Sequence, residues 1–327
     1  MSKVYISRKL FDEALGVLKD AGIEFEMNEA DIPLPKAELA EKIRDVDALI
    51  CLLTDKIDGK LLGANPNLKI VANVAVGFDN IDIPAATERG IMVSNTPDVL
   101  TETTADLAFS LLMSAARRIP EADRYMRAGK YEGWELFQPH LGVDIYGKTL
   151  GVVGIGRIGF SVAKRGRLGF DMTVLYYDAI RNERAEQKLG AQYVSMDELL
   201  ERSDFVTAHV PLTEQTRHLF NAEAFKKMKS NAILINSSRG PVVDEAALVE
   251  ALKTGEIRGA ALDVYEEEPK VHPELVKLEE SVVLLPHLGS ATTETRINMA
   301  KLAVQNVISA LKGERPPTLV NSETFKG

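Results

Sequence analysis

Cysteine is almost missing from this sequence: Cys51 stands alone, so no disulfide can form within the chain. It lies in the apolar run Ala48-Leu49-Ile50-Cys51-Leu52-Leu53 and reads as a buried strand residue. A reactive thiol needs an electropositive, partly exposed setting, which this run does not supply. Long hydrophobic runs are missing as well. No stretch approaches the roughly 18 apolar residues needed to span a bilayer. The opening segment Met1–Arg8 lacks the apolar region of a signal peptide, so a cytoplasmic protein is expected. Basic residues are outnumbered, 39 Lys and Arg against 48 Asp and Glu, for a formal net charge of −9. That balance argues against nonspecific binding to nucleic acid or to an anionic membrane. Short repeats and low-complexity segments are absent too.

What remains is an ordinary globular composition, 45% hydrophobic and 27% charged over 327 residues. That is enough chain for two domains or one large α/β unit, with a core that needs no disulfide or metal staples. Over the first hundred residues, short apolar runs alternate with amphipathic stretches. Strands are expected at Lys3–Ser7, Glu24–Met27, Ala48–Leu53, Lys69–Ala75 and Ile91–Ser94, and helices at Arg8–Ala21, Pro35–Arg44, Asp58–Ala64 and Pro84–Arg89. Several of these strands are too apolar for a half-exposed sheet. Strands buried on both faces and separated by helices imply a parallel sheet with right-handed crossovers.

A helical stretch from Thr101 to Ala128 follows, with Leu107, Ala108, Leu111, Leu112 and Ala115 on one face and Pro120 expected to interrupt it. Beyond a Gly-, Pro- and aromatic-rich loop (Gly129–Gly147) a second alternating series begins. Its strands are expected at Thr149–Val153, Thr173–Tyr177, Phe205–His209, Ala232–Asn236, Gly259–Leu262 and Val282–Leu285. Helices are expected near Arg157–Leu168, Glu183–Leu189, Met196–Glu201, Ala222–Met228, Glu245–Thr254 and Thr292–Lys312. The pattern predicts two α/β units in tandem.

The most specific signal is Gly154-x-Gly156-x-x-Gly159, which follows the strand Thr149–Val153 and opens a helix at Arg157 and Ile158. Strand, turn and helix in that order make a dinucleotide site. Gly154 permits the tight turn, Gly156 lets the backbone approach a pyrophosphate, and Gly159 lets the helix pack on the strand. Amides at the helix start, including those of Arg157 and Ile158, would bind the anion. Asp178 ends the next strand, roughly 20 residues beyond Gly159, where a carboxylate meets the adenosine ribose hydroxyls. It repels a 2′-phosphate and so favours NAD over NADP, although Arg181 nearby softens that preference. The plainer alternative is an ordinary α/β turn with Asp178 as a helix cap.

Three further segments carry unusual residues at strand ends. Arg239, in Asn236–Asp244, follows a strand and precedes a glycine, where its planar fork suits a substrate carboxylate; a solvated loop arginine is the alternative. Glu268, in Asp263–Pro269, is one of three adjacent glutamates that by themselves read as a solvated acidic turn. His287, in Pro286–Thr292, stands at a strand end beside a glycine-containing turn. It is a candidate proton donor or, more plainly, a structural histidine.

Together with Val76–Asp82 and Thr103–Ala108, these segments make the chain similar, over essentially its whole length, to the NAD(P)-dependent D-2-hydroxyacid dehydrogenases. Within that family it most resembles the glyoxylate/hydroxypyruvate reductases, through Asn95–Leu100 and Gly142–Lys148. The resemblance implies an α/β protein with two doubly wound parallel-sheet domains, a Rossmann-type cofactor domain over 100–288 and a flavodoxin-like substrate domain from 1–99 plus 289–327. The active site would lie in the cleft between them, with the long helices as hinges.

By the same resemblance Arg239 would hold the substrate carboxylate and carbonyl oxygen. His287 would be the general acid, and Glu268 would pair with it and favour its protonated form. The amides of Val76 and Gly77 would bind the substrate carboxylate. Thr104 would contact a cofactor phosphate and Asp263 the nicotinamide carboxamide, while His209, Val210, Pro211 and Ser238 would lie beside the cofactor. No metal is implied, and a homodimer is expected. D-lactate dehydrogenase, 2-ketogluconate reductase and a short 3-phosphoglycerate dehydrogenase share the catalytic residues and remain alternatives. So does an NAD-sensing corepressor-like scaffold.

Overall fold

The computed structural model describes residues 2–325, which fall into two compact units: Met1–Leu100 with Ser290–Gly327, and Thr101–Gly289. In the first unit the elements alternate as β1 (Lys3–Ile6), α1 (Asp12–Asp20), β2 (Glu24–Met27), α2 (Lys36–Lys42), β3 (Ala48–Cys51), α3 (Gly59–Leu62), β4 (Ile70–Asn73), α4 (Ile83–Glu88) and β5 (Met92–Ser94). The strands form one parallel sheet in the order β2-β1-β3-β4-β5, the flavodoxin-like doubly wound arrangement. Every residue of β3 and β4 is buried, as their unbroken apolar runs require. Cys51 is among them, wholly inaccessible, and burial pushes its thiol well above the ordinary range. The helix starts are locally encoded: Asp58 and Asp82 cap α3 and α4 by accepting amide hydrogens of the first turn.

The second unit opens with α5 (Thr101–Arg117) and α6 (Ile119–Arg127). The helical stretch is interrupted as expected, but two residues before the proline. The break falls at Arg118, which adopts a left-handed conformation (φ 52°), and Pro120 lies in the first turn of α6, where its missing N–H costs nothing. Then come β6 (Thr149–Val153), α7 (Arg157–Phe170), β7 (Thr173–Tyr177), α8 (Glu183–Leu189), β8 (Gln192–Tyr193), α9 (Met196–Arg202), β9 (Phe205–Ala208), α10 (Ala222–Lys227), β10 (Ile233–Asn236), α11 (Glu245–Thr254), β11 (Gly259–Leu262), α12 (Pro273–Lys277) and β12 (Val282–Leu284). All seven strands are parallel, ordered β12-β11-β10-β9-β6-β7-β8, so the strand order reverses at β6. This is the Rossmann arrangement extended by one strand. The short β8 and α12 carry too little periodicity to be seen in the sequence.

Helix α13 (Thr293–Leu311) belongs to the first unit, where Met299, Ala300, Ala303, Val304 and Val307 are buried. Asn321, 2% exposed, ties the C-terminal segment to β5: its Oδ1 accepts the Val93 amide at 2.7 Å and its Nδ2 donates to the Ile91 carbonyl at 2.9 Å. Among the described residues no helix is long and apolar enough to cross a membrane.

Candidate active site

The glycine loop lies where the strand order reverses, at the carboxyl end of β6. Gly154 has φ +88°, and a Cβ there would stand 2.7 Å from the His209 carbonyl oxygen and 2.8 Å from Val210 Cγ1. A side chain on Gly159 would meet the Gly154 carbonyl at 2.1 Å. Over Gly156 the space is open, with nothing within 4 Å of where its Cβ would be. The two closed positions weld loop, helix and the His209–Val210 segment together, and the open one leaves backbone accessible. No side chain caps α7 at Gly156, so the positive end of the helix faces the loop without a built-in acceptor. These features fit a dinucleotide pyrophosphate.

Asp178 follows β7, and its Oδ2 accepts the Ile155 amide at 2.7 Å. The carboxylate therefore also clamps the glycine loop, and Asn182 helps by donating to the Ile155 carbonyl at 2.9 Å. Arg181 is engaged elsewhere, in a two-pronged ion pair with Glu186 (2.7 and 2.9 Å). His209 shares a 2.8 Å hydrogen bond with Thr207, and burial lowers its pKa to about 3, so its ring is neutral. Pro211 directly follows this segment, and its carbonyl accepts from the Thr216 hydroxyl.

On the other half of the same sheet, the carboxyl ends of β10, β11 and β12 carry Arg239, Glu268 and His287. The buried side chain of Asn236 shapes the first loop. Its Nδ2 donates to the Arg239 carbonyl (2.9 Å), and its Oδ1 accepts from the amide and the hydroxyl of Ser238 (3.0 and 2.8 Å). Next, Gly240 lies so close to the Tyr265 carbonyl that an added Cβ would be 1.8 Å from its oxygen. That approach places the Arg239 loop against the segment leading to Glu268.

Glu268 accepts the Tyr265 amide on Oε1 (3.1 Å) and faces His287 Nδ1 with Oε2 (2.9 Å). Burial pushes its carboxyl up, but the hydrogen bond and charge of His287, the Tyr265 amide and the charge of Arg239 outweigh it. The net position is below the ordinary carboxylate range. His287 is held in a left-handed conformation (φ 55°), costly for a residue with a Cβ. Asp263 sustains it. Its carbonyl accepts the His287 amide (3.0 Å) and its two carboxylate oxygens accept those of Leu288 (2.6 Å) and Gly289 (2.8 Å). Asp263 is wholly buried, and burial raises its carboxyl despite those amides. Both carboxylate oxygens of Asp263 thus accept amides of the histidine turn. Thr104 on α5 packs there too, its Cγ2 3.4 Å from where a Gly289 Cβ would be.

In the first unit, Val76 and Gly77 follow β4. Their carbonyls accept from Asn95 and Asn73 at 2.8 Å each, while their amides donate to no acceptor among the described residues. Among the described residues no cluster of His, Cys, Asp or Glu could hold a metal ion. Reasoning from sequence missed Asn236, Gly240 and Tyr265. Of these only Gly240, directly after Arg239, left a readable trace.

A doubly wound sheet with an open glycine loop at its switch point, and a histidine–carboxylate pair on neighbouring strand ends, defines a dinucleotide-dependent enzyme. Residues 109–289 match the family model for the D-isomer specific 2-hydroxyacid dehydrogenase NAD-binding domain. The chain is 51% identical to a glyoxylate reductase of Korarchaeum cryptofilum, covering 99% of this chain and 97% of that one. It is also 51% identical to one from Thermococcus litoralis, over 99% and 98%. A solved structure from Thermus thermophilus superposes with a TM-score of 0.90 at 42% identity, covering 97% of this chain and 99% of that one. An NADPH-dependent glyoxylate/hydroxypyruvate reductase of Sinorhizobium meliloti, in complex with NADP and malonate, does so with 0.88 at 35%, covering 100% and 98%. The chain belongs to the D-isomer specific 2-hydroxyacid dehydrogenase family. It is an NAD(P)-dependent oxidoreductase.

Proposed function

We propose that this chain reduces small 2-oxoacids to D-2-hydroxyacids, glyoxylate to glycolate foremost and hydroxypyruvate to D-glycerate. The observation that carries this reading is the His287 Nδ1–Glu268 Oε2 contact at 2.9 Å, on a turn built to present the ring. The carboxylate accepts the Nδ1 hydrogen, which leaves Nε2, without a partner among the described residues, as the nitrogen that gives up a proton. Reducing a carbonyl builds negative charge on its oxygen, and a general acid neutralises it. Arg239 supplies the positive potential, and its planar guanidinium suits a carboxylate. The amides of Val76 and Gly77 are further donors of the kind a carboxylate takes. When bound, NAD(P)H supplies the hydride.

The glycine loop, with Arg157, Ile158 and the His209–Pro211 segment, would hold the cofactor, and Ser238 would lie on its nicotinamide side. Asp178 would favour NADH by repelling a 2′-phosphate. The preference for glyoxylate rests on the full-length similarity to glyoxylate reductases. In this reading the unit Met1–Leu100 with Ser290–Gly327 is the substrate domain, and the protein works in the cytoplasm as a homodimer. Met126, Tyr131, Trp134, Leu136, Phe137 and Tyr146 support self-association: they are exposed apolar residues within one stretch, Phe137 at 85%.

The test is a steady-state panel of glyoxylate, hydroxypyruvate, pyruvate and 2-ketogluconate with NADH and with NADPH. The highest kcat/KM is expected for glyoxylate with NADH. Failure to oxidise either cofactor with any 2-oxoacid would overturn the enzyme reading and point to a cofactor-sensing scaffold.

A further inference from the structure

Behind Glu268 lies a second pair of carboxylates that no step above uses. Glu245 is the first residue of α11, 5% exposed, and its Oε1 accepts the Glu266 amide at 2.9 Å. Reciprocally, Glu266 Oε2 accepts the Glu245 amide at 3.0 Å, meeting an unpaired N–H at the positive end of the helix. The other oxygen of Glu266 faces His218 Nε2, and the His218 amide donates to the Pro241 carbonyl. The peptide joining Tyr265 to Glu266 is therefore pinned from one side by Glu245. The Tyr265 amide, one residue back, is the group that holds Glu268 Oε1. Tyr265 is anchored again through its hydroxyl, which donates to the Leu285 carbonyl at 2.8 Å, at the start of the turn carrying His287.

We propose that Glu245 is a positioning residue for the Glu268–His287 pair: its side chain fixes the Tyr265–Glu266 peptide, and that peptide sets where Glu268 meets the histidine. This rests on the roles proposed above for Glu268 and His287. Glu245 acts as a hydrogen-bond acceptor of the right length, and its charge is secondary. Burial raises its carboxyl above the ordinary range even against the Glu266 amide, so a neutral side chain suits the site. The charged groups facing the cluster are Glu266, His218 and His272 on the Glu245 side, and Arg239 and Asp263 on the Glu268 side.

Length and charge separate cleanly in two substitutions. Glu245→Gln keeps an acceptor oxygen at the same reach and removes the charge. Glu245→Asp keeps the charge and falls about 1.5 Å short. Both are assayed for NADH oxidation with glyoxylate across pH, alongside Glu245→Ala and His287→Asn. Folding is followed by circular dichroism and cofactor binding by NADH fluorescence.

Glu245→Gln is expected to keep kcat within about threefold of the unsubstituted chain. Glu245→Asp and Glu245→Ala are expected to lose roughly tenfold or more in kcat with the KM for NADH little changed, because a misplacement of about 1 Å degrades chemistry before binding. Equal activity of the Asp and Gln variants, or an Asp variant better than Gln, overturns the proposal; should Glu245→Ala fail to fold, this comparison stands without it. An active His287→Asn variant refutes the underlying roles instead. Unaffected Glu245 variants beside an inactive His287→Asn refute the Glu245 role alone.

Discussion

Replacing Gly240 by alanine adds one methyl group at the point where the Arg239 loop meets the segment carrying Glu268. The new Cβ would lie 1.8 Å from the Tyr265 oxygen, 1.9 Å from its carbonyl carbon and 2.5 Å from the Glu266 nitrogen. All three are backbone atoms, so no change of side-chain rotamer relieves the clash. The two loops must part until 1.8 Å becomes the 3.4 Å of ordinary contact, a displacement well over 1 Å. Such a shift moves Arg239 away from Glu268 and His287, at a cost on the order of 10²-fold in kcat, or about 2.7 kcal/mol in activation free energy. Overpacking should also destabilise the unit by about 1–3 kcal/mol. The glycine loop belongs to other strands and only Ser238 of the displaced loop would lie on the cofactor side, so NADH affinity should fall far less than kcat. The assay is steady-state oxidation of NADH by glyoxylate, with cofactor titration and thermal unfolding on the same preparation. A Gly240→Ala variant with kcat within threefold and an unchanged Tm would refute the claim that this contact sets the geometry of the site.

Further outcomes are expected. His287→Asn keeps a residue that tolerates the left-handed backbone; it should lower kcat by about 10²–10⁴-fold and leave NADH affinity nearly intact, and a comparable loss of cofactor binding would contradict the general-acid role. Asp178→Ala should raise the NADPH-to-NADH ratio of kcat/KM, while weakening both cofactors because the Ile155 amide loses its acceptor; an unchanged ratio would show that Asp178 does not read the ribose. The Glu268 carboxyl is depressed in the folded state, so its contribution to stability is complete above its ordinary pKa near 4.5 and is lost as pH falls through the lowered value. The Tm advantage of the unsubstituted chain over Glu268→Gln should therefore hold at neutral pH and shrink below about pH 4.5; an advantage that grows on acidification would reverse the assignment.

Much of the architecture was legible because it depends on short-range pattern. The unbroken apolar runs at Ala48 and Ile70 became fully buried strands of a parallel sheet. The glycine spacing after Val153 became a strand, turn and helix in the expected order. The misreadings were local as well. At the end of α5 the proline was visible, yet the chain broke two residues earlier, where Arg118 turns left-handed and Pro120 helps start the next helix. The two-residue β8 offered no alternation to recognise. Arg239, Glu268 and His287 stood out only as unusual residues at strand ends. Nothing in their spacing told a solvated acidic turn from a carboxylate aimed at a histidine.

By itself, then, the sequence determined the parallel α/β class, the dinucleotide loop and the burial of Cys51, since hydrophobic period and glycine placement act over a few neighbouring residues. Tertiary structure decided what those residues do together. Strand order brings β10, β11 and β12 side by side, so that positions far apart in the chain share one end of a sheet. Only that packing turns Asp263 toward three consecutive amides, presses Gly240 against Tyr265 and links Glu245 to the peptide behind Glu268. Hydrogen bonds and close approaches of this kind depend on register and loop path across the whole sheet, which no local window of sequence contains.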